Sequence, residues 1–86
     1  MLPPFDLTVP TDARYRPLAP EVAGKFAELA GCAPAAASEV RSKVDAAADT
    51  LMPAGQEITL GCSTTDQEVV FQMRCGDQTA TIRQTL

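Results

Sequence analysis

Near Glu57 the spacing of apolar residues changes from about 3.6 to about 2, and that switch constrains the fold more than any motif in the chain. Upstream, Leu18, Val22, Phe26, Leu29 and Ala30 follow the three-and-four spacing of one buried helical face. Glu21, Lys25 and Glu28 lie outside it, and Gly31 suits the left-handed position that ends a helix. Pro20 is placed as the first helical residue, with Thr11 or Asp12 capping a short turn in PTDARYRPLAP before it. Glu21 and Lys25, four apart, are spaced to form an ion pair. A second helix starts near Pro34 and ends before Pro53, with Ala37, Val40, Val44, Ala47 or Ala48, and Leu51 as its apolar stripe. Its small residues allow a close approach to the neighbouring layer.

Downstream, Ile58, Leu60 and Cys62 alternate with Glu57, Thr59 and Gly61, and STTDQ forms a loop into EVVFQMRC, where Val69, Phe71, Met73 and Cys75 share a face. Gly76 and Asp77 make a two-residue hairpin turn of the Gly-X kind. Pairing Cys75 with Gln78 then sets Met73 against Ala80, Phe71 against Ile82 and Val69 against Gln84. Val70, Gln72 and Arg74 meet Arg83, Thr81 and Thr79 on the other side. FDLTV near the start is one more strand, with Phe5, Leu7 and Val9 inward; Pro3, Pro4 and Pro10 mark it as an edge. The order strand, helix, helix, strand, strand, strand predicts an α+β two-layer sandwich: two helices packed on one face of an antiparallel four-stranded sheet.

The chain has 86 residues, enough for a single domain, 1–86, with one core. A net charge of -4 with seven dispersed cations repels a phosphate backbone, so nucleic acid is excluded as a partner. The first ten residues lack the basic and apolar regions of a signal peptide, and no apolar run is long enough to span a membrane. A soluble, cytoplasmic protein is expected. Cys32, Cys62 and Cys75 read as reduced core residues, and Met73 beside Cys75 as core. With no His and no C-x-x-C pair there is no zinc site, and Ser-His or Cys-His nucleophiles are ruled out. Any chemistry falls to carboxylates, Arg or Lys.

Asp45 and Asp49 in VDAAADTLM are the carboxylate pair with the right spacing, since residues four apart on a helix are neighbours. They have no third ligand or phosphate cradle in the sequence, and solvated residues opposite the stripe are an equally good account of them. Arg14, Tyr15 and Arg16 combine residue types favoured at interfaces, although a cluster of this kind also serves as an ordinary helix approach. Arg74 and Arg83 could attract an acidic partner or simply face solvent.

The segment LTVPTDARYRPLAPEVAGKFAELAGCAPAAASEVRSKVDAAADTLM resembles the N-terminal half of the anti-sigma-factor serine kinases of the histidine-kinase-like ATPase superfamily. That family carries Glu-Ala-x-x-Asn on its second helix, where DAAAD stands here. The resemblance implies that Asp45 takes the place of the catalytic Glu, Ala46 that of the Ala, and Asp49 that of the magnesium-holding Asn. Asp is one methylene shorter than Glu, and an Asp for the Asn adds negative charge beside a triphosphate. Arg74 falls where the family's adenine-reading Asp belongs, and GDQTATIRQTL leaves no room for the lid helix and second Gly-rich box. The resemblance therefore implies a reduced histidine-kinase-like ATPase fold with a vestigial nucleotide motif.

The function expected on this basis is a regulatory protein-binding module without kinase or ATPase activity and without a cofactor. Its partner would be a sigma factor or an anti-sigma antagonist, met by Arg14, Tyr15, Arg16, Glu21 and Lys25. Two alternatives stand beside it: a small-ligand, nucleotide or metal-dependent enzyme using Asp45 and Asp49, and a structural homo-oligomer, with a homodimer compatible with either binding reading.

Overall fold

The computed structural model describes residues 3–86; the first two positions of the 1–86 domain lie outside the described residues. The elements are β1 (Phe5–Pro10), α1 (Leu18–Ala30), α2 (Pro34–Leu51), a 3-10 turn (Met52–Ala54), β2 (Glu57–Thr64), β3 (Glu68–Cys75) and β4 (Gln78–Thr85). All strand pairs are antiparallel, in the spatial order β1-β2-β3-β4. The two helices cover one face, α1 over β1, β2 and β3 and α2 over β3 and β4, so the fold is an α+β sandwich, as the switch of period predicts.

The β3–β4 hairpin has the register expected from its turn: Cys75 pairs with Gln78, Met73 with Ala80, Phe71 with Ile82 and Val69 with Gln84. Gly76 has φ 59° and Asp77 is not left-handed, the combination of a II′ turn, whose twist matches that of the strands it joins. The β2–β3 connection is shorter than STTDQ because Ser63 and Thr64 continue β2. Thr65 closes the remaining loop, its Oγ1 accepting from the backbone N–H of Gln67 (3.3 Å) and Glu68 (3.0 Å).

The core lies between the layers. Ile58, Leu60, Cys62, Val69, Phe71, Met73 and Cys75 of the sheet meet Ala37, Val40, Val44, Ala48 and Leu51 of α2, all buried. The α2 stripe is the expected one, with Ala48 buried and Ala47 half-buried. Phe26 joins the helices to the sheet, edge-on to Phe71 at 6.1 Å between ring centroids.

The first helix differs from expectation in three ways. It begins at Leu18, with Pro20 in its first turn; a proline is tolerated there because the first four helical N–H groups have no partner within the helix. Its buried ridge is Ala19, Ala23 and Ala27, with Phe26, while Leu18 (43% exposed) and Leu29 (64%) face outward and Val22 is half-buried. Close helix packing accompanies the rotation: α1 meets α2 at Gly24, where an added Cβ would run into the Arg41 side chain, and the buried alanines beside it keep that face of the helix small. Finally, Glu21 and Lys25 form no ion pair, because Lys25 lies over an apolar surface instead. The helix ends as expected at Gly31 (φ 111°), where the N–H of Gly31 bonds Glu28 O (3.1 Å) and that of Cys32 bonds Ala27 O (3.0 Å).

Candidate functional site

The two carboxylates of α2 are neighbours on its outer side, and a cation already lies between them. Arg16 reaches Asp49 at 3.1 Å through Nη1 and Asp45 at 3.6 Å through Nη2. The segment before α1 delivers it, because Asp12 folds that segment into a turn. The Asp12 carboxylate accepts from the backbone N–H of Arg14 at 2.9 Å and from its guanidinium at 3.0 Å, and Asp12 O accepts from Tyr15 N–H at 2.9 Å. These bonds to Arg14 hold the Asp12 carboxyl below its ordinary pKa. Thr11 anchors the other end of the segment, its N–H on Gln56 O at 3.0 Å and its hydroxyl on Gly55 O at 3.3 Å.

Arg16 relieves the like-charge pair on α2 and ties the approach of α1 to α2. All three side chains are more than a third exposed, so the link contributes at most about 1 kcal/mol. A metal or triphosphate at these carboxylates would first have to displace the guanidinium. Among the described residues no three His, Cys, Asp or Glu side chains gather as a metal-ligand set.

The expected partner surface divides. Arg14 turns back on Asp12 and lies 5.7 Å above the ring of Tyr15, which is itself exposed. Arg16 is engaged with the carboxylates of α2, and Glu21 stands apart on the first turn of α1. Lys25 sits in different company. With Pro3, Phe5, Val22, Phe26 and Leu29 it lines an open apolar hollow of about 350 Å³ between α1 and the start of β1.

Phe5 stacks on Phe26 at 6.1 Å with the rings 17° from parallel, yet stays 41% exposed although it lies on the inner side of the sheet. The sandwich ends there: β1 is the edge strand, α1 lies over its margin, and nothing among the described residues covers Phe5 and Leu29 from outside. Phe5, Val22 and Leu29 were all expected in the core. The sequence did hold a signal of their exposure, because Ala19, Ala23 and Ala27 form a second apolar ladder on the same helix. A helix with two apolar faces at the margin of a two-layer fold can bury only one of them.

On the opposite face of the sheet, Asp6, Thr59, Gln72, Arg74, Thr79 and Thr81 surround Gly61, whose missing side chain leaves a polar hollow of about 290 Å³. Arg74 has no ion pair among the described residues, while Arg83 pairs with Glu68 at 3.3 Å. The cysteines are free and buried, and burial, with Asp6 nearby, pushes the Cys62 thiol up to about 12, far from the thiolate a nucleophile requires. No helix among the described residues is long and apolar enough to cross a membrane. No family model, curated protein or solved structure matches the chain, and its function is therefore argued from the geometry of these surfaces.

Proposed function

We propose that the chain is a regulatory protein-binding module, related to the anti-sigma factors, that acts by contact and carries out no kinase or ATPase chemistry. The observation that carries this reading is the apolar hollow between α1 and β1, where Phe5 and Leu29 are left exposed beside Lys25. An apolar patch rimmed by a cation on a small domain marks a contact surface for a partner that brings apolar side chains and an acidic residue. Lys25, one of the residues of the expected partner surface, lies on the rim of the hollow. The Arg16 clamp on Asp45 and Asp49 supports the absence of phosphoryl transfer, since the positions that correspond to the nucleotide motif are engaged in an internal ion pair.

Isothermal titration with ATP and magnesium tests the chemistry; no binding is expected, and micromolar affinity or autophosphorylation would overturn the reading. Leu29→Asp with Phe5→Asp tests the surface. In a pull-down and titration against sigma factors and their antagonists, the double variant should lose the affinity that the wild type shows, while its melting temperature stays close to that of the wild type.

A further inference from the structure

The outer face of the sheet holds a glycine where a strand least tolerates one. Gly61 stands within β2, an inner strand paired on both sides, and lies on the face away from the helices, between the buried Leu60 and Cys62. Glycine weakens a strand interior, and the usual reasons for one are a bulge, a tight bend or the close approach of another group. The register of β2 runs unbroken from Ile58 to Cys62 against both neighbours, so no bulge accounts for it. The missing side chain leaves the polar hollow of about 290 Å³, at the small end of the range for ligand sites. An added Cβ would also stand 3.0 Å from Asp6 Oδ1, so any other residue would both fill the hollow and press on that carboxylate.

The two charges that line the hollow are not neutralised by the protein. Asp6 on β1 and Arg74 on β3 have no ion pair among the described residues, whereas Arg14, Arg16, Arg41 and Arg83, the other arginines of the chain, each reach a carboxylate. Asp6 shares a row of the sheet with Gly61, Gln72 and Thr81, and Arg74 shares the next outward-facing row with Thr59 and Thr79. Two strand spacings and two residues of rise put their Cα atoms about 12 Å apart. Between them stand neutral groups, the Gln72 amide and the hydroxyls of Thr59, Thr79 and Thr81. Thr59 is steadied by Thr8, with 3.0 Å between their Oγ1 atoms. The hollow thus runs from an anion, past neutral donors and acceptors, to a cation.

We propose that this hollow is a binding site for a free α-amino acid in its zwitterionic form. The ligand carboxylate accepts from the guanidinium of Arg74, whose planar fork matches two oxygens, and the ligand ammonium donates to the carboxylate of Asp6. The charge pattern selects a ligand that carries both signs. A simple anion on Arg74 would leave Asp6 unpaired and repelling it, and a simple cation on Asp6 would meet the same opposition from Arg74. A peptide terminus offers only one of the two charges. The hydroxyls and the Gln72 amide suit a ligand side chain that is small or itself bears a hydroxyl or an amide, and no aromatic residue lines the hollow for a large apolar one to pack on. The site lies on the face of the sheet away from the helices, and it does not rest on the contact surface of α1.

Titration of the isotope-labelled full chain with L-serine and with L-glutamine, followed by backbone amide NMR, tests the site. Saturable shifts at millimolar concentration are expected around Asp6, Gly61, Gln72 and Arg74. The N-acetylated and the carboxamide forms of the same two amino acids lack one charge each, and should bind at least about tenfold more weakly, the contribution of a hydrogen bond between charged groups. Asp6→Asn and Arg74→Gln, both at exposed positions, should each weaken the free amino acids by a similar factor with an unchanged circular dichroism spectrum. Gly61→Val fills the hollow and should abolish the shifts; should it fail to fold, the two charge variants decide the matter. No saturable shift with either amino acid, capped forms that bind as tightly as the free ones, or charge variants that bind like the wild type would overturn the proposal. Inorganic phosphate or acetate binding as tightly as serine would overturn it too, by reducing the site to Arg74 alone. The Phe5→Asp, Leu29→Asp double variant should bind the amino acids unchanged, so that failure of this site and failure of the α1 contact surface are read separately.

Discussion

The two helices give opposite fates to their large side chains. On α2 the residues at helical spacing are the ones that are buried: Val40, Val44 and Leu51, together with Ala37 and Ala48. On α1 the small residues go inward and two of the large ones, Leu18 and Leu29, go outward. The position of each helix in the sandwich accounts for the difference. α2 packs against both α1 and the strands β3 and β4, so its apolar stripe is surrounded. α1 meets β1, β2 and β3 more sparsely, and the side of it that carries Leu18 and Leu29 has no second layer to meet among the described residues. The same side chain, a leucine, thus becomes core in one helix and surface in the other.

The largest expected effect is on the enclosed side. Val44→Asp places a carboxylate at a fully buried position, and a small domain has only a few kcal/mol of stability to lose. The variant should be unfolded at room temperature by circular dichroism. A folded variant would mean that α2 can lift from the sheet, and the contrast between the helices would fail.

Next comes the alanine ladder of α1. Ala23→Leu adds volume at a position with no exposure, so it should destabilise by about 1 to 3 kcal/mol in urea denaturation even though it makes α1 more apolar. A neutral or stabilising result would mean that this face of α1 is not closely packed.

Much of the fold was legible in the sequence, and the reasons are physical. The β3–β4 register followed from a two-residue turn together with a period of two, because a one-residue slip would have exchanged the faces of both strands. The α2 stripe was legible because an enclosed helix buries whatever its periodicity lines up. The rotation of α1 was not, since both of its apolar stripes have helical spacing and only the neighbour selects between them. The beginning of α1 was misplaced by two residues, because a proline fits any position of a first helical turn. At Asp45 and Asp49 the spacing was legible but the counter-ion was not: Arg16 lies across a turn and a whole helix in the sequence, and only the folding of that turn by Asp12 brings it there.

That counter-ion gives a smaller and more conditional prediction. Arg16→Ala leaves two carboxylates at adjacent turns of α2 without a cation and releases the approach of α1 from α2. It should lower stability by at most about 1 kcal/mol at low salt, and by less at high salt, because the three groups are exposed and screened. Urea denaturation at two ionic strengths measures both values. A loss that is larger, or the same in high salt, would show that the link is structural in a way that its exposure does not account for.

The smallest effect is expected at Leu29, and it separates the two helices most directly because Leu51 is the same residue in the opposite situation. Leu51 is 4% exposed, and Leu51→Ala should cost about 2 to 5 kcal/mol through the lost contacts and the cavity that remains. Leu29 is 64% exposed, so Leu29→Ala removes little buried area and should change stability by no more than about 0.5 kcal/mol. Measured side by side in urea, the two variants compare one side chain in two surroundings. If Leu29→Ala proves as costly as Leu51→Ala, Leu29 is already covered in solution and the α1–β1 hollow is not free to receive a partner. If it proves silent for folding, a leucine on a margin helix contributes nothing to the core, and the contact surface proposed on α1 is the account of it that remains.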